Sequence, residues 1–99
     1  MRDLVEKLND ESIAGWLEAH TGWKRSGNAI RKLFEFASFR DSIVFVNRVA
    51  TLADEVDHHP DIDIRYAKVT LTLSTHDAGG LTEKDLELAQ RVDFATSAR

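Results

Sequence analysis

Three of the four histidines lie in two short polar segments, and this clustering indicates a chemical site. The first segment is Asp57-His58-His59-Pro60, and the second is Ser74-Thr75-His76-Asp77. Imidazole has an unperturbed pKa of about 6.5, so it can donate and accept protons near neutral pH. If the two segments meet in space, they form a polar pocket suited to general acid and base catalysis.

The composition is typical of one small soluble domain. The 99 residues are 42% hydrophobic and 30% charged, with a single proline, which predicts one compact core over residues 1–99. The net charge of −4 argues against nonspecific nucleic-acid binding, which needs clustered lysines and arginines. The absence of cysteine from the sequence excludes disulfides and thiolate metal sites. With no signal-peptide pattern and no long apolar run, we expect a cytoplasmic protein with no membrane partner.

Hydrophobic spacing predicts a helix and then a hairpin in the first part of the chain. Apolar residues recur at helical spacing just after Asp10, which can cap the helix. The turn Ser26-Gly27-Asn28 separates two predicted strands at 23–25 and 29–36. In the second strand, Lys32 is the exception on an otherwise apolar face.

A long helix follows the hairpin. Ser38 and Asp41 match the capping-box pattern with which helices begin. Pro60 disfavours helical geometry at the residue before it, so we expect the helix to end near Asp57 or His58.

The remaining sequence predicts a second hairpin and a last helix. Alternating polar and apolar residues indicate half-buried strands at 61–65 and 68–74, joined by Tyr66-Ala67. A flexible turn at 77–80 leads to a second capping box at 82–85, which begins the last helix.

This order of elements fits an α+β fold. Each helix has only one apolar stripe, so a four-stranded antiparallel sheet with three helices packed on one face would bury all three stripes. Such a sheet has edge strands with unpaired backbone groups, which predicts association of copies through strands. The expected assembly is a homodimer or a dimer of dimers.

The predicted fold brings the two histidine segments to one rim. His58 and His59 follow the C-terminal end of the long helix, where the partial negative charge of free carbonyls favours imidazolium. His76 follows the last strand, and the Asp85 carboxylate, in the first turn of the last helix, can face the same cavity.

Structural explanations stay open for each of these residues. Asp85 is explained by capping alone, His58 and His59 by a solvated helix end, and His76 by a strand end. Three histidines could also bind zinc with a water as fourth ligand, although the usual zinc spacings are missing. His20 lies outside both segments and is explained as a surface residue at a helix C-terminus.

The combined motif resembles the pterin-4a-carbinolamine dehydratase family. The likeness extends from about Leu8 through the final helix, and its matching segments are Asp57-His58-His59-Pro60, Tyr66-Ala67-Lys68-Val69, 73–82 and Asp85. The resemblance implies the fold predicted above. It also implies the reaction, in which a tetrahydropterin hydroxylated at its ring-fusion carbon loses water and gives the quinonoid dihydropterin during tetrahydropterin recycling.

The resemblance further implies a role for each site residue. His58 and His76 match the two acid/base histidines of the family, and His59 matches a third that mainly holds the pterin. Asp85 matches a supporting acidic residue. No metal and no organic cofactor is implied, because two imidazoles in opposite roles suffice for the proton transfers. The positions that match pterin contacts are Asp57, Ser74, Thr75 and Asp77.

A noncatalytic pterin- or protein-binding module of the same fold is the alternative function. Two residues depart from the pattern of some members, namely Ile62 in place of an aromatic residue and Asp77 in place of Glu. Ile62 affects the pocket wall and Asp77 one contact, whereas the acid/base pair is unaffected. A dehydration assay separates the two functions, because a binding module shows no turnover.

Overall fold

The computed structural model describes residues 6–97 and confirms the α+β architecture. The strands form one antiparallel sheet in the order β1-β2-β4-β3. Across residues 6–97, none of the helices has the length and apolar character needed to cross a membrane. The elements are α1 (Asp10–Ala19), β1 (Lys24–Ser26), β2 (Ala29–Glu35), α2 (Phe39–Val56), β3 (Asp61–Arg65), β4 (Lys68–Leu73), a short 3-10 turn (His76–Ala78) and α3 (Glu83–Ser97).

One face of the sheet carries the apolar side chains that meet the helices. Ile30 and Phe34 of β2 lie in register with Leu73 and Val69 of β4, and all four are buried. Removing these side chains from water is the main force that holds the helices on the sheet. The helices add to the same buried cluster Ile13 from α1, Phe45, Val49 and Ala53 from α2, and Leu86, Leu88, Ala89 and Val92 from α3.

The cap of α1 differs from the prediction by one residue. Asn9, and not Asp10, is the N-cap, because its Oδ1 accepts a hydrogen bond from Ser12 N–H at 2.8 Å. Asp10 lies in the first turn of the helix and pairs with Arg25 at 2.9 Å. Both acceptors suit the positive end of a helix, so the sequence alone did not decide between them.

Both ends of the long helix α2 are confirmed. Ser38 Oγ accepts a hydrogen bond from Asp41 N–H at 3.1 Å, as a capping serine does. The helix ends at Val56, and Asp57 takes a left-handed conformation with φ of 53°. Pro60 lies three residues after Asp57, so the histidine pair lies between the end of the helix and the proline.

Two segments near the histidines differ from expectation. The strand β3 was expected to be half-buried, but all five of its residues are exposed; it is an edge strand, with a neighbouring strand on one side. Residues 77–80 were expected to form a flexible turn, but the first two of them belong to the 3-10 turn His76–Ala78. That turn ends at Gly79, whose φ of 73° suits glycine, and a β-bridge joins Thr75 to Gly80.

Candidate acid-base site

The carboxylate of Asp85 lies at the centre of the candidate site. It is fully buried, and its Oδ1 lies 2.6 Å from His58 Nε2. The side chain of His58 is only 12% exposed, and its backbone N–H donates to the Ala53 carbonyl at 3.1 Å. The end of α2 therefore fixes the backbone of His58, while Asp85 fixes its ring.

Two threonines contact the other oxygen of Asp85. Asp85 Oδ2 lies 2.8 Å from Thr75 Oγ1 and 2.9 Å from Thr82 N, and the two hydroxyl oxygens are 2.7 Å apart. Thr82 immediately precedes α3, so its N–H bond to Asp85 is the reciprocal contact of a capping box. Capping was the structural explanation predicted for Asp85, and the structure shows that the same carboxylate also contacts His58.

This hydrogen-bond network joins the two histidine segments. Thr75, which contacts Asp85, directly precedes His76 in the chain. The ring of His76 is exposed and has no hydrogen-bond partner within residues 6–97. The rings of His58 and His76 thus belong to segments that meet at one buried carboxylate, with His58 held and His76 free to turn toward a ligand.

His59 has different surroundings from its neighbour. Its Nε2 lies 2.9 Å from Asp54 Oδ1, with 58% of the histidine side chain and 78% of the aspartate side chain exposed. Asp54 was not among the residues predicted for the site. Its place in the last turn of the long helix, just before the histidine pair, is the signal that could have indicated it.

The other predicted pterin-contacting residues divide into two groups. Asp57, Ser74 and Asp77 are exposed, so their polar atoms are accessible to a ligand. Thr75 is 9% exposed, and its hydroxyl, N–H and carbonyl are all hydrogen-bonded inside the protein.

The described histidines do not converge as metal ligands would. Within residues 6–97, no three side chains of His, Cys, Asp or Glu are arranged to hold a metal ion. The Nε2 atoms of His58 and His59 contact two different carboxylates. The fourth histidine, His20, stacks on Trp16 at 4.0 Å, with Nδ1 2.7 Å from the Trp16 carbonyl oxygen.

Comparison with known proteins points to one family. Residues 6–95 match the family model described as pterin 4 alpha carbinolamine dehydratase. A relative from Roseiflexus castenholzii is 59% identical over 86 residues, which cover 87% of this chain and 92% of the relative. Another from Roseiflexus sp. (strain RS-1) is 54% identical over 90 residues, which cover 91% and 97%. Both are provisionally named pterin-4-alpha-carbinolamine dehydratase.

Two solved structures share the fold. A Brucella melitensis protein described as a transcriptional coactivator/pterin dehydratase has a TM-score of 0.85 and 31% identity, over 89% of this chain and 96% of its own. A pterin dehydratase-like protein described as a RuBisCO assembly factor in the alpha-carboxysome has a TM-score of 0.61 and 28% identity, over 75% and 88%. Because the family model spans nearly the whole chain and the relatives are more than half identical to it, the chain belongs to the pterin 4 alpha carbinolamine dehydratase family.

Proposed function

We propose that this protein removes water from a 4a-hydroxytetrahydropterin and so forms the quinonoid dihydropterin, a step in tetrahydropterin recycling. One observation carries the proposal: the buried Asp85 carboxylate contacts His58 directly and also contacts Thr75, the residue before His76. Membership of the family supports the pterin as the substrate class.

The reaction requires two proton transfers and no change of oxidation state. The hydroxyl group leaves as water after it accepts a proton, and the C=N bond forms as a ring N–H gives up a proton. One imidazolium and one neutral imidazole can perform these transfers, and we assign them to His58 and His76. The two histidines exchange protonation states in each turnover and return to their starting states by proton exchange with solvent.

Four exposed residues beside the pair are proposed to hold the pterin. Within residues 6–97, the ring of His59 is paired with the exposed Asp54. The others are Asp57, Ser74 and Asp77, whose polar groups are accessible to the ring nitrogens and oxygens of a pterin. Thr75 is the exception among the predicted contacts, because its polar groups already have partners.

The substitution His76→Ala tests the assignment. We expect the dehydration rate of a synthetic carbinolamine to fall by about 10²–10⁴-fold, the usual contribution of a general acid or base. The ring of His76 is exposed, so circular dichroism and thermal unfolding should match the wild type. His20→Ala is the matched control, and it should leave the rate unchanged because His20 contacts Trp16 instead of the site.

A noncatalytic binding module is the second candidate function. It is supported by the fold shared with a protein described as an assembly factor. A wild-type preparation that binds pterin but leaves dehydration at the buffer-only rate would support this function and overturn the proposed enzyme.

We also propose that copies of the chain associate through β3 as a homodimer, which can pair further as a dimer of dimers. The strand lies at the edge of the sheet, where Ile62 and Ile64 are 37% and 38% exposed. Antiparallel pairing centred on Ile64 would place Asp63 of each copy opposite Arg65 of the other. Such pairing would satisfy edge backbone groups and cover the isoleucines.

A further inference from the structure

The surroundings of Asp85 suit a carboxylate that only accepts hydrogen bonds. Three potential donors lie within hydrogen-bond distance of it: Thr82 N–H at 2.9 Å, Thr75 Oγ1 at 2.8 Å and His58 Nε2 at 2.6 Å. It also lies in the first turn of α3, where the helix dipole favours negative charge. An ionised carboxylate can only accept hydrogen bonds, so each of these neighbours donates to it.

The protons of the two threonines are then assigned. The single hydroxyl proton of Thr75 is donated to Asp85 Oδ2, so the 2.7 Å contact between the hydroxyls uses the proton of Thr82. Thr82 Oγ1 in turn accepts a hydrogen bond from Lys84 N–H at 3.2 Å. The hydrogen bonds therefore form a directed chain from Lys84 N–H through Thr82 and Thr75 to Asp85.

The contact with Asp85 also determines the tautomer of His58. Its Nε2 carries the proton that is donated to Asp85 Oδ1. In the neutral ring Nδ1 is then the unprotonated nitrogen and acts as an acceptor. Within residues 6–97, Nδ1 of His58 has no hydrogen-bond partner, so it is the atom available to a substrate proton.

We propose that the directed chain makes His58 the proton acceptor of the dehydration, acting through Nδ1, and that Thr75 is a positioning residue. This inference rests on the proposed dehydratase function. The ring N–H proton of the pterin moves to Nδ1 as the C=N bond forms, and the hydroxyl leaves as water with a proton from His76. The ionised Asp85 stabilises the imidazolium of His58 as it forms.

Asp85→Asn tests the direction of the hydrogen bonds around Asp85, because asparagine has nearly the same shape as aspartate. The amide oxygen can still accept from Thr82 N–H and Thr75, which turns the amide NH2 toward His58 Nε2. An NH2 group can only donate, so the ring proton has to move to Nδ1. We expect the ¹⁵N shifts of His58 in the labelled, ligand-free protein to change from the Nε2–H to the Nδ1–H pattern, and kcat to fall by about 10²-fold or more.

Thr75→Val and Thr75→Ser form a matched pair that tests the positioning role. Valine has the shape of threonine without the hydroxyl, whereas serine keeps it. We expect kcat of Thr75→Val to fall roughly 10-fold with KM within about two-fold of the wild type, because a hydrogen bond to a charged group is lost. Thr75→Ser keeps the hydroxyl and should have the kcat of the wild type. A rise in KM with unchanged kcat in Thr75→Val would show a substrate contact and overturn the positioning role.

The ¹⁵N shifts report the tautomer of His58 in the absence of turnover. The directed chain of hydrogen bonds and the dehydratase function are therefore tested separately. A wild-type protein with the Nδ1–H tautomer of His58 overturns the directed chain even if the enzyme is active. A wild-type protein with the Nε2–H tautomer but no dehydration above the buffer rate overturns the dehydratase, and with it the proton-acceptor role. Both proposals are supported if the wild-type protein is active and has the Nε2–H tautomer of His58, and if Asp85→Asn loses this tautomer.

Discussion

His58 and His59 are neighbours in the chain but differ in how firmly they are held. The ring of His58 is 12% exposed and contacts a fully buried carboxylate, whereas His59 is 58% exposed and pairs with an exposed aspartate. An exposed ion pair contributes only about 0–1 kcal/mol, so the ring of His59 can be redirected toward a ligand at little cost. This contrast supports proton transfer by His58 and substrate holding by His59.

The holding role predicts the kinetics of His59→Ala. We expect KM to rise roughly 5–10-fold with kcat within about two-fold, because the lost hydrogen bond acts equally in the ground and transition states. Steady-state kinetics with the carbinolamine measure both constants, and His20→Ala should change neither. A large fall in kcat with unchanged KM would assign proton transfer to His59 instead.

The element that sets the position of the site is α2. Its N-terminal end is capped by Ser38, and its buried Ser42 donates a hydrogen bond from Oγ to the Tyr66 carbonyl at 2.9 Å, which ties the helix to the β3–β4 turn. At the other end, Asp57 leaves the helix in a left-handed conformation. The backbone of His58 is therefore positioned by where this helix begins, docks and ends.

The cap of α2 predicts a change in stability without a change in chemistry. Ser38→Ala should lower the free energy of unfolding by about 1 kcal/mol, because the N–H of Asp41 loses its acceptor. Urea denaturation measures the change, and Ser38→Asp should retain wild-type stability since aspartate also caps. The dehydration rate at low temperature should be unaffected, because the cap and the site lie at opposite ends of an 18-residue helix. Equal stability of the alanine variant would show that this contact does not stabilise the helix.

A polar contact between distant parts of the chain links the sheet to the last helix. Lys32 Nζ lies 2.9 Å from Asp93 Oδ1, and Trp23 Nε1 donates to Asp93 Oδ2 at 2.8 Å. The lysine and aspartate side chains are only 21% and 26% exposed. Lys32 therefore faces the helices with its charge paired, which explains why it interrupts an apolar face of β2.

The exposed edge of the molecule predicts how Ile64→Lys changes the assembly. Antiparallel pairing centred on Ile64 would bring two lysines face to face, so we expect the dimer dissociation constant to rise roughly 10-fold or more. Sedimentation over a range of concentrations measures it. Leu33→Lys is the control, because Leu33 is 50% exposed but lies on β2, away from this edge. A wild-type protein that stays monomeric throughout, or a control that dissociates equally, would contradict pairing through β3.

Local residue patterns already specify most of the elements and predict where the candidate site lies. The serine cap of α2, the end of the helix before Pro60 and the alternation in β4 are local signals, and the structure confirms each of them. The turn predicted at 26–28 is also present, but Ser26 belongs to β1, which spans Lys24–Ser26 instead of 23–25. Such signals act over a few residues, so they do not depend on how distant parts of the chain pack. The family motif then predicted which polar residues belong to the candidate site.

Which side chains contact each other depends on how distant segments pack. His58 and Asp85 are 27 positions apart, and Lys32 and Asp93 are 61 apart. Hydrogen bonds operate over about 3 Å, so the packing of helices on the sheet determines whether such pairs form. The pattern Thr82-x-x-Asp85 predicted the helix cap. The contact between Asp85 and His58 forms because α2 docks beside α3.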